Sequence, residues 1–135
     1  MKVFFGLLFT TLVNFTCGLA GFYITSSFLV SFVPKHQNAF TTYDFLWSFL
    51  LKFMVILILT WIMYRVMSML DTPKKRILFI FLLGSSFSIY NEVDIFWFHN
   101  SLTWSLIIII GESINWLMTG YLLSKFVKPK HLGAL

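Results

Sequence analysis

Four long apolar segments divide the chain, and short polar connections separate them. The segments run from about residue 3 to 33, 45 to 67, 77 to 98 and 102 to 126. A helix needs about 20 apolar residues to cross the hydrocarbon core of a bilayer, and each segment reaches that length. Strands of a membrane barrel are shorter and alternate apolar with polar residues, unlike these segments. The pattern therefore predicts an all-α integral membrane protein, with four transmembrane helices in a single domain over residues 1–135.

The connections carry signals for the starts of helices. Asp71 or Thr72 can cap a third helix that has Pro73 at its first position, where the missing N–H of proline is tolerated. Asn100 or Ser101 can cap the fourth helix. Because short connections join antiparallel neighbours, we expect an up-down four-helix bundle.

The positive charges lie almost entirely on one side of this predicted bundle. Of the ten Lys and Arg residues, Lys35 lies in a connection on the opposite side and Lys52 lies inside a span, whereas the others flank the remaining ends of the spans. The positive-inside rule then places both chain termini in the cytoplasm. Trp47, Trp97 and Trp104 fall near the opposite boundary, where we expect them to anchor the helices at the membrane interface.

Composition supports a membrane protein and argues against other classes. The chain is 59% hydrophobic and only 11% charged, whereas soluble domains are about 45–50% apolar and about 25% charged. The net charge of +5 does not predict nucleic-acid binding, because the cations flank apolar segments instead of forming a basic face. The single cysteine, Cys17, lies in an apolar segment and is expected to pack as a small hydrophobic residue.

The N-terminal segment has two interpretations. Lys2, the apolar residues after it and the small residues Gly18 and Ala20 resemble a signal peptide with a cleavage site. The apolar segment continues to Val33, however, so we expect one uncleaved span. Few alanines and 17 phenylalanines are typical of an AT-rich bacterial genome, and we therefore expect the bacterial inner membrane.

Glu112 is the most informative residue, because it lies about 15 Å into the fourth span at 1.5 Å per residue. An ionisable side chain at the centre of a membrane helix costs about 2.5–3.5 kcal/mol on insertion scales. Ser105, Asn115 and Thr119 share its helix face, and a polar face on an apolar helix turns towards protein. Glu112 is therefore either a proton, cation or substrate site, or a hydrogen-bonded structural carboxyl.

Each of the other spans also places a polar residue at a similar depth. Lys52 can extend its side chain towards the interface or pair with Glu92 or Glu112. Glu92 belongs either to an acidic vestibule that attracts cations or to an interfacial polar cap. Asn14 shares a helix face with Gly18 and Gly21, a pattern typical of close helix packing, and Gly111 of the fourth span fits the same interpretation. The predicted intramembrane polar site comprises Glu112, Asn115, Lys52, Glu92 and Asn14.

The sequence lacks the motifs of common enzymes and cofactor sites. It has no phosphate-binding loop, no H-E-x-x-H and no C-x-x-C. Its histidines, His36, His99 and His131, are scattered over both sides of the predicted bundle. We therefore assign no catalytic residue, expect no metal, cofactor or nucleic acid, and lean against an enzyme.

Three functions fit these observations. The first is a non-enzymatic membrane protein that acts through helix–helix association or as an accessory subunit of a partner membrane protein. The second is a small transporter or channel, assembled as a homo-oligomer, that uses Glu112 for proton or cation coupling. The third is a membrane enzyme that acts on a lipid-like or quinone-like substrate near Glu92 and His99.

Overall fold

The computed structural model describes residues 2–28, 41–91 and 102–127, and these residues are helical apart from short turns and ends. They form α1 (Lys2–Phe28), α2 (Thr42–Arg65), α3 (Pro73–Asn91) and α4 (Leu102–Phe126). The described ranges contain no strand. The all-helical prediction is confirmed for this part of the chain. Residues 29–33 of the first predicted span, residues 92–98 of the third, and the predicted caps Asn100 and Ser101 lie outside it.

Polar side chains define where α2 and α3 begin. Helix α2 starts three residues before its apolar segment because Thr41 and Asp44 form a capping box. The backbone N–H of Asp44 donates to Thr41 Oγ1 at 3.2 Å, and the backbone N–H of Thr41 donates to Asp44 Oδ2 at 2.8 Å. Helix α3 starts at Pro73 as its sequence predicts, and the N–H of Lys75 donates to Thr72 Oγ1 at 3.3 Å.

The connection between α2 and α3 is held by an arginine. Arg76 is buried, and its Nη1 donates to the carbonyls of Leu70 at 3.2 Å and Asp71 at 3.4 Å. On the surface, the Lys75 ammonium lies 2.8 Å from Asp71 Oδ1. The hydrogen bond from Lys75 lowers the pKa of the Asp71 carboxyl below its ordinary value.

The four helices pack side by side in the order α1, α2, α3, α4, and α4 returns to contact α1. The contact of helix α4 with α3 is the most extensive in the bundle, and its contact with α1 is the second most extensive. Phe9 meets Phe126 near one end of the α1–α4 pair, and Phe22 meets Trp104 near the other, with ring centroids 6.3 Å and 6.0 Å apart. These two helices are therefore antiparallel. The order of neighbours places α2 and α4 on opposite sides of the bundle.

Three of the helices, α1, α2 and α4, are long and apolar enough to cross a membrane. Helix α3 does not qualify over its described length of 19 residues, because Lys74, Lys75 and Arg76 occupy its first turn. The prediction of four spans is therefore supported for three of them.

The bundle buries polar side chains and exposes apolar ones. Thr10, Thr11 and Thr119 are completely buried, whereas Phe5 and Ile110 are each 59% exposed. The many exposed large apolar side chains are unlike the surface of a soluble protein, which rarely exposes large apolar patches.

The apolar core occupies one half of the bundle, towards the end where α1 begins and α4 ends. We call this the packed half and define it by Ile56 and Leu59 of α2, Ile80 of α3 and Leu123 of α4, all of which are completely buried. The glycine Gly84 lets the Trp116 indole lie directly against α3, since a Cβ at this position would overlap the ring. Close contact of α3 with α4 therefore closes the packed half.

Three expectations about individual residues are wrong. Trp104 is buried against Phe22 instead of facing the membrane interface. Cys17 is exposed instead of packing against other helices. A Cβ at Gly21 or Gly111 would meet nothing within 4 Å, so these glycines do not serve close packing among the described residues.

Candidate functional site

An ion pair connects the two helices that lie opposite each other. Lys52 Nζ on α2 donates to Glu112 Oε1 at 3.0 Å and to Glu112 Oε2 at 2.9 Å on α4. The long lysine side chain spans the distance between the two helices. Of the alternatives for Lys52, the structure shows pairing with Glu112. The two side chains retain 27% and 26% of their exposure, so the pair is only partly enclosed.

A second polar group, the asparagine cluster of Asn14, Asn115 and Thr119, joins α1 to α4. Asn14 Nδ2 donates to Thr119 Oγ1 at 2.7 Å, and Asn115 Nδ2 donates to the Asn14 carbonyl at 2.9 Å. The Thr119 hydroxyl donates to the Asn115 carbonyl at 2.9 Å. Asn14 and Thr119 are completely buried, and Asn115 is 5% exposed. This cluster is therefore closed to its surroundings.

Gly18 lies beside both the ion pair and the asparagine cluster. A Cβ at this position would stand 3.3 Å from Asn115 Nδ2, 3.6 Å from Glu112 Oε1 and 3.9 Å from Lys52 Nζ. The missing side chain thus lets α1 approach both groups. Four of the five predicted site residues, Asn14, Lys52, Glu112 and Asn115, consequently lie near one another, whereas Glu92 lies outside the described residues.

Helix α3 contributes the Ser88 hydroxyl and supports the Trp116 indole, and neither residue belongs to the site predicted from the sequence. Trp116 Nε1 donates to Ser88 Oγ at 3.0 Å, and Ser88 Oγ donates to the Gly84 carbonyl at 3.3 Å. Lys52 Nζ lies 5.9 Å from the centroid of the Trp116 ring, within the range of a cation–π interaction. The available signal was the spacing of Trp116, one helical turn after Glu112 and therefore on the same face.

Two cavities meet at Glu112. The larger, which we call the α2–α3 groove, measures about 360 Å³ and lies between α2, α3 and α4. Its lining includes Leu51, Lys52, Phe87, Ser88, Glu112 and Trp116. The smaller, the α1–α4 cavity, measures about 200 Å³, and its lining includes Cys17, Gly18, Gly21, Gly111 and Glu112. Both lie on the side of the bundle away from the packed half.

The ion pair has hydrogen-bonding capacity to spare towards these cavities. An ammonium carries three donors and a carboxylate about four acceptor sites, and the two contacts between Lys52 and Glu112 use only part of them. The arrangement can hold water, a proton, a cation or a polar group of a ligand. The described ranges contain no group of three or more His, Cys, Asp or Glu residues that could hold a metal ion. No protein-family model, curated protein or solved structure matched this chain.

Proposed function

We propose that this chain is a four-span integral membrane protein of the bacterial inner membrane, with both termini in the cytoplasm. Three membrane-length apolar helices and an apolar outer surface support insertion. Arg65, Lys74, Lys75 and Lys125 lie at the end of the bundle where α4 ends, and the positive-inside rule assigns that end to the cytoplasm. For α3, Val93 and the apolar residues 95–98 extend the sequence towards a full span, and the acidic residues Glu92 and Asp94 interrupt this extension.

Within this frame we propose a small transporter that uses the Lys52–Glu112 ion pair as its coupling site. The observation that carries the proposal is the partial exposure of this pair where two cavities meet. A structural carboxyl inside a membrane is expected to be enclosed by its partners, as the asparagine cluster is. A carboxyl used for coupling needs access to water and a change of partner.

The ion pair suggests how coupling would operate. A proton or cation that binds Glu112 competes with Lys52 for the carboxylate. When Lys52 is displaced from Glu112, its ammonium has no counter-charge in a low-dielectric environment, which is unfavourable. Displacement of Lys52 would therefore favour a new arrangement of α2 and α4, which the pair connects.

The packed half favours a carrier over an open channel. Ile56, Leu59, Ile80 and Leu123 fill the space between the helices on the cytoplasmic side of the ion pair. In the described part of the bundle, neither cavity extends through this core. Transport would thus require the core to rearrange, as alternating access does in carriers.

Association with another membrane helix is the second candidate function. The α1–α4 cavity is lined by small residues, and the space beside Gly21 and Gly111 is open. Small residues allow close helix approach, so a helix of a second copy or of a partner membrane protein fits this surface. The third hypothesis, a membrane enzyme acting near Glu92 and His99, stays a prediction, because both residues lie outside the described residues.

Infrared difference spectroscopy on the protein in liposomes tests the transporter proposal. We expect the carboxyl bands that change with the pH of the bathing solution to include one from Glu112, because proton coupling requires water to reach this carboxyl. The band should disappear in Glu112→Gln. It should persist in Asp71→Asn, a matched control that removes an exposed carboxyl from the α2–α3 connection.

A Glu112 carboxyl that stays in one protonation state throughout the range in which the protein remains folded would contradict the proposal. That result would favour a structural ion pair and the association function. Identical pH-dependent carboxyl bands in the original protein and in Glu112→Gln would also contradict it, because every titrating carboxyl would then belong to another residue.

A further inference from the structure

The α2–α3 groove opens sideways, through the face of the bundle that lies between these two helices. Helices α2 and α3 contact each other least among the neighbouring pairs. Leu51 on one wall is 61% exposed, and Phe87 on the other is 47% exposed, so both walls reach the outer surface of the bundle. In a membrane that surface faces the acyl chains of the lipids.

The chemistry of the groove changes from its mouth to its floor. Leu51 and Phe87 make the sideways mouth apolar, and the exposed polar residues Ser48 and Asn91 line the groove towards the end of the bundle opposite the packed half. Lys52, Glu112 and Ser88 are less exposed and form a polar floor. Its volume of about 360 Å³ falls within the range of about 300–1,000 Å³ typical of small-molecule sites. An apolar mouth and a polar floor match a molecule with an apolar body and a polar head.

The charge of the floor restricts that head further. Lys52 and Glu112 neutralise each other, so an anionic or cationic head would leave one uncompensated charge among low-dielectric surroundings. An uncharged head that both donates and accepts hydrogen bonds, such as a hydroxyl, can use the free capacity of the pair without adding charge.

We propose that the α2–α3 groove binds an uncharged, hydrogen-bonding amphiphile that enters from the bilayer, with its polar head on the Lys52–Glu112 pair and its apolar body between Leu51 and Phe87. This inference rests on the proposed function, since it names the class of molecule that the transporter would carry. Entry from the bilayer follows from the sideways opening of the groove.

Photolabelling in liposomes tests the inference with three probes that share one chain. The probes are hexadecanol, hexadecanoate and hexadecyltrimethylammonium, each with a diazirine at the same chain position. We expect hexadecanol to label peptides of α2 and α3 in a saturable manner, and excess unlabelled hexadecanol to suppress the labelling. The two charged probes should label the same peptides less, and without saturation, as ordinary contact with bulk amphiphile does.

Variants of α2 show whether the labelling comes from the groove. Val55→Phe fills the groove from within and should abolish the saturable labelling. Leu51→Trp blocks the mouth and gives the same test if Val55→Phe does not fold. Leu57→Phe is the matched control: it makes a comparable change at a position 38% exposed, outside the lining of the groove, and should leave the labelling unchanged.

The outcomes separate this inference from the proposed transport function. Absence of saturable labelling by hexadecanol overturns the inference, as does saturable labelling by a charged probe in preference to hexadecanol. Neither result alters the infrared test of Glu112. Saturable labelling by hexadecanol combined with a Glu112 carboxyl that never titrates would support the binding site and contradict the coupling mechanism.

Discussion

The asparagine cluster and the Lys52–Glu112 ion pair lie one helical turn apart on α4, yet only one of them is closed. Asn14 and Thr119 are completely buried, whereas Lys52 and Glu112 retain about a quarter of their exposure. Both are polar groups between apolar helices. The difference shows that the polar face of α4 serves two purposes: one part holds α1 against α4, and the other remains accessible.

Helix arrangement explains the difference between the two groups. The cluster joins neighbouring helices, and its short side chains meet directly across the contact between α1 and α4. The ion pair joins helices on opposite sides of the bundle, so only long side chains can meet and cavities remain beside them. The short asparagine side chains therefore bridge the closed contact, whereas the accessible contact needs the longer side chain of a lysine.

The largest expected contrast between these regions is in the reactivity of thiols. Cys17 lines the α1–α4 cavity beside Glu112 and is exposed. Because thiols react as thiolates, which need water, we expect a membrane-impermeant maleimide added outside to label Cys17 in intact liposomes. Thr10 is completely buried, so the thiol introduced by Thr10→Cys in a Cys17→Ala background should stay unlabelled until the protein is unfolded. Labelling of Cys17 only after unfolding would show that water does not reach this cavity, and the contrast between an accessible and a closed polar region would not hold.

A smaller but still large effect is expected when the ion pair is broken. Removing one partner of a buried pair costs about 3–5 kcal/mol. Because the pair here retains about a quarter of its exposure, we expect a smaller cost, and Lys52→Leu should lower the free energy of unfolding by about 2 kcal/mol. Unfolding in mixed detergent micelles, followed by circular dichroism, measures it.

The double variant sharpens this prediction. Lys52→Leu combined with Glu112→Leu removes both charges, and we expect its stability to return to within about 1 kcal/mol of the original protein, because apolar replacements of a buried ion pair are often neutral. It should nevertheless lose the pH-dependent carboxyl band. A double variant as unstable as Lys52→Leu would show that the pair holds the bundle together through more than mutual neutralisation.

The sequence predicted the helices well because the length of an apolar segment is a local property. Helix α4 begins and ends where its apolar segment does, and its polar face contains Glu112, Asn115 and Thr119 as the helical period requires. The start of α2 was harder to predict from the sequence, because the residues that define it, Thr41 and Asp44, are polar and lie before the apolar segment.

Contacts between helices were harder to predict, because sequence does not specify which helices lie opposite each other. Lys52 had two candidate partners, and the choice of Glu112 depends on the position of α2 relative to α4. The burial of Trp104 likewise depends on Phe22 of another helix. The two cavities arise from the spacing between helices, which no single segment encodes.

The smallest expected effect comes from the closed group. Asn14→Ala removes the hydrogen bond from Asn14 Nδ2 to Thr119 Oγ1, whereas the backbone carbonyl of residue 14 can still accept from Asn115. Hydrogen bonds between membrane helices contribute about 0.6 kcal/mol on average, so we expect a loss of about that size in the same unfolding experiment. Thr16→Ala, which removes an exposed hydroxyl bonded within α1, is the matched control and should change stability less. The pH-dependent band of Glu112 should remain in Asn14→Ala, because the asparagine cluster holds α1 against α4 and does not control the access of water to Glu112. Loss of that band would mean that the two polar groups operate as one unit, and the distinction between a closed and an accessible site would no longer hold.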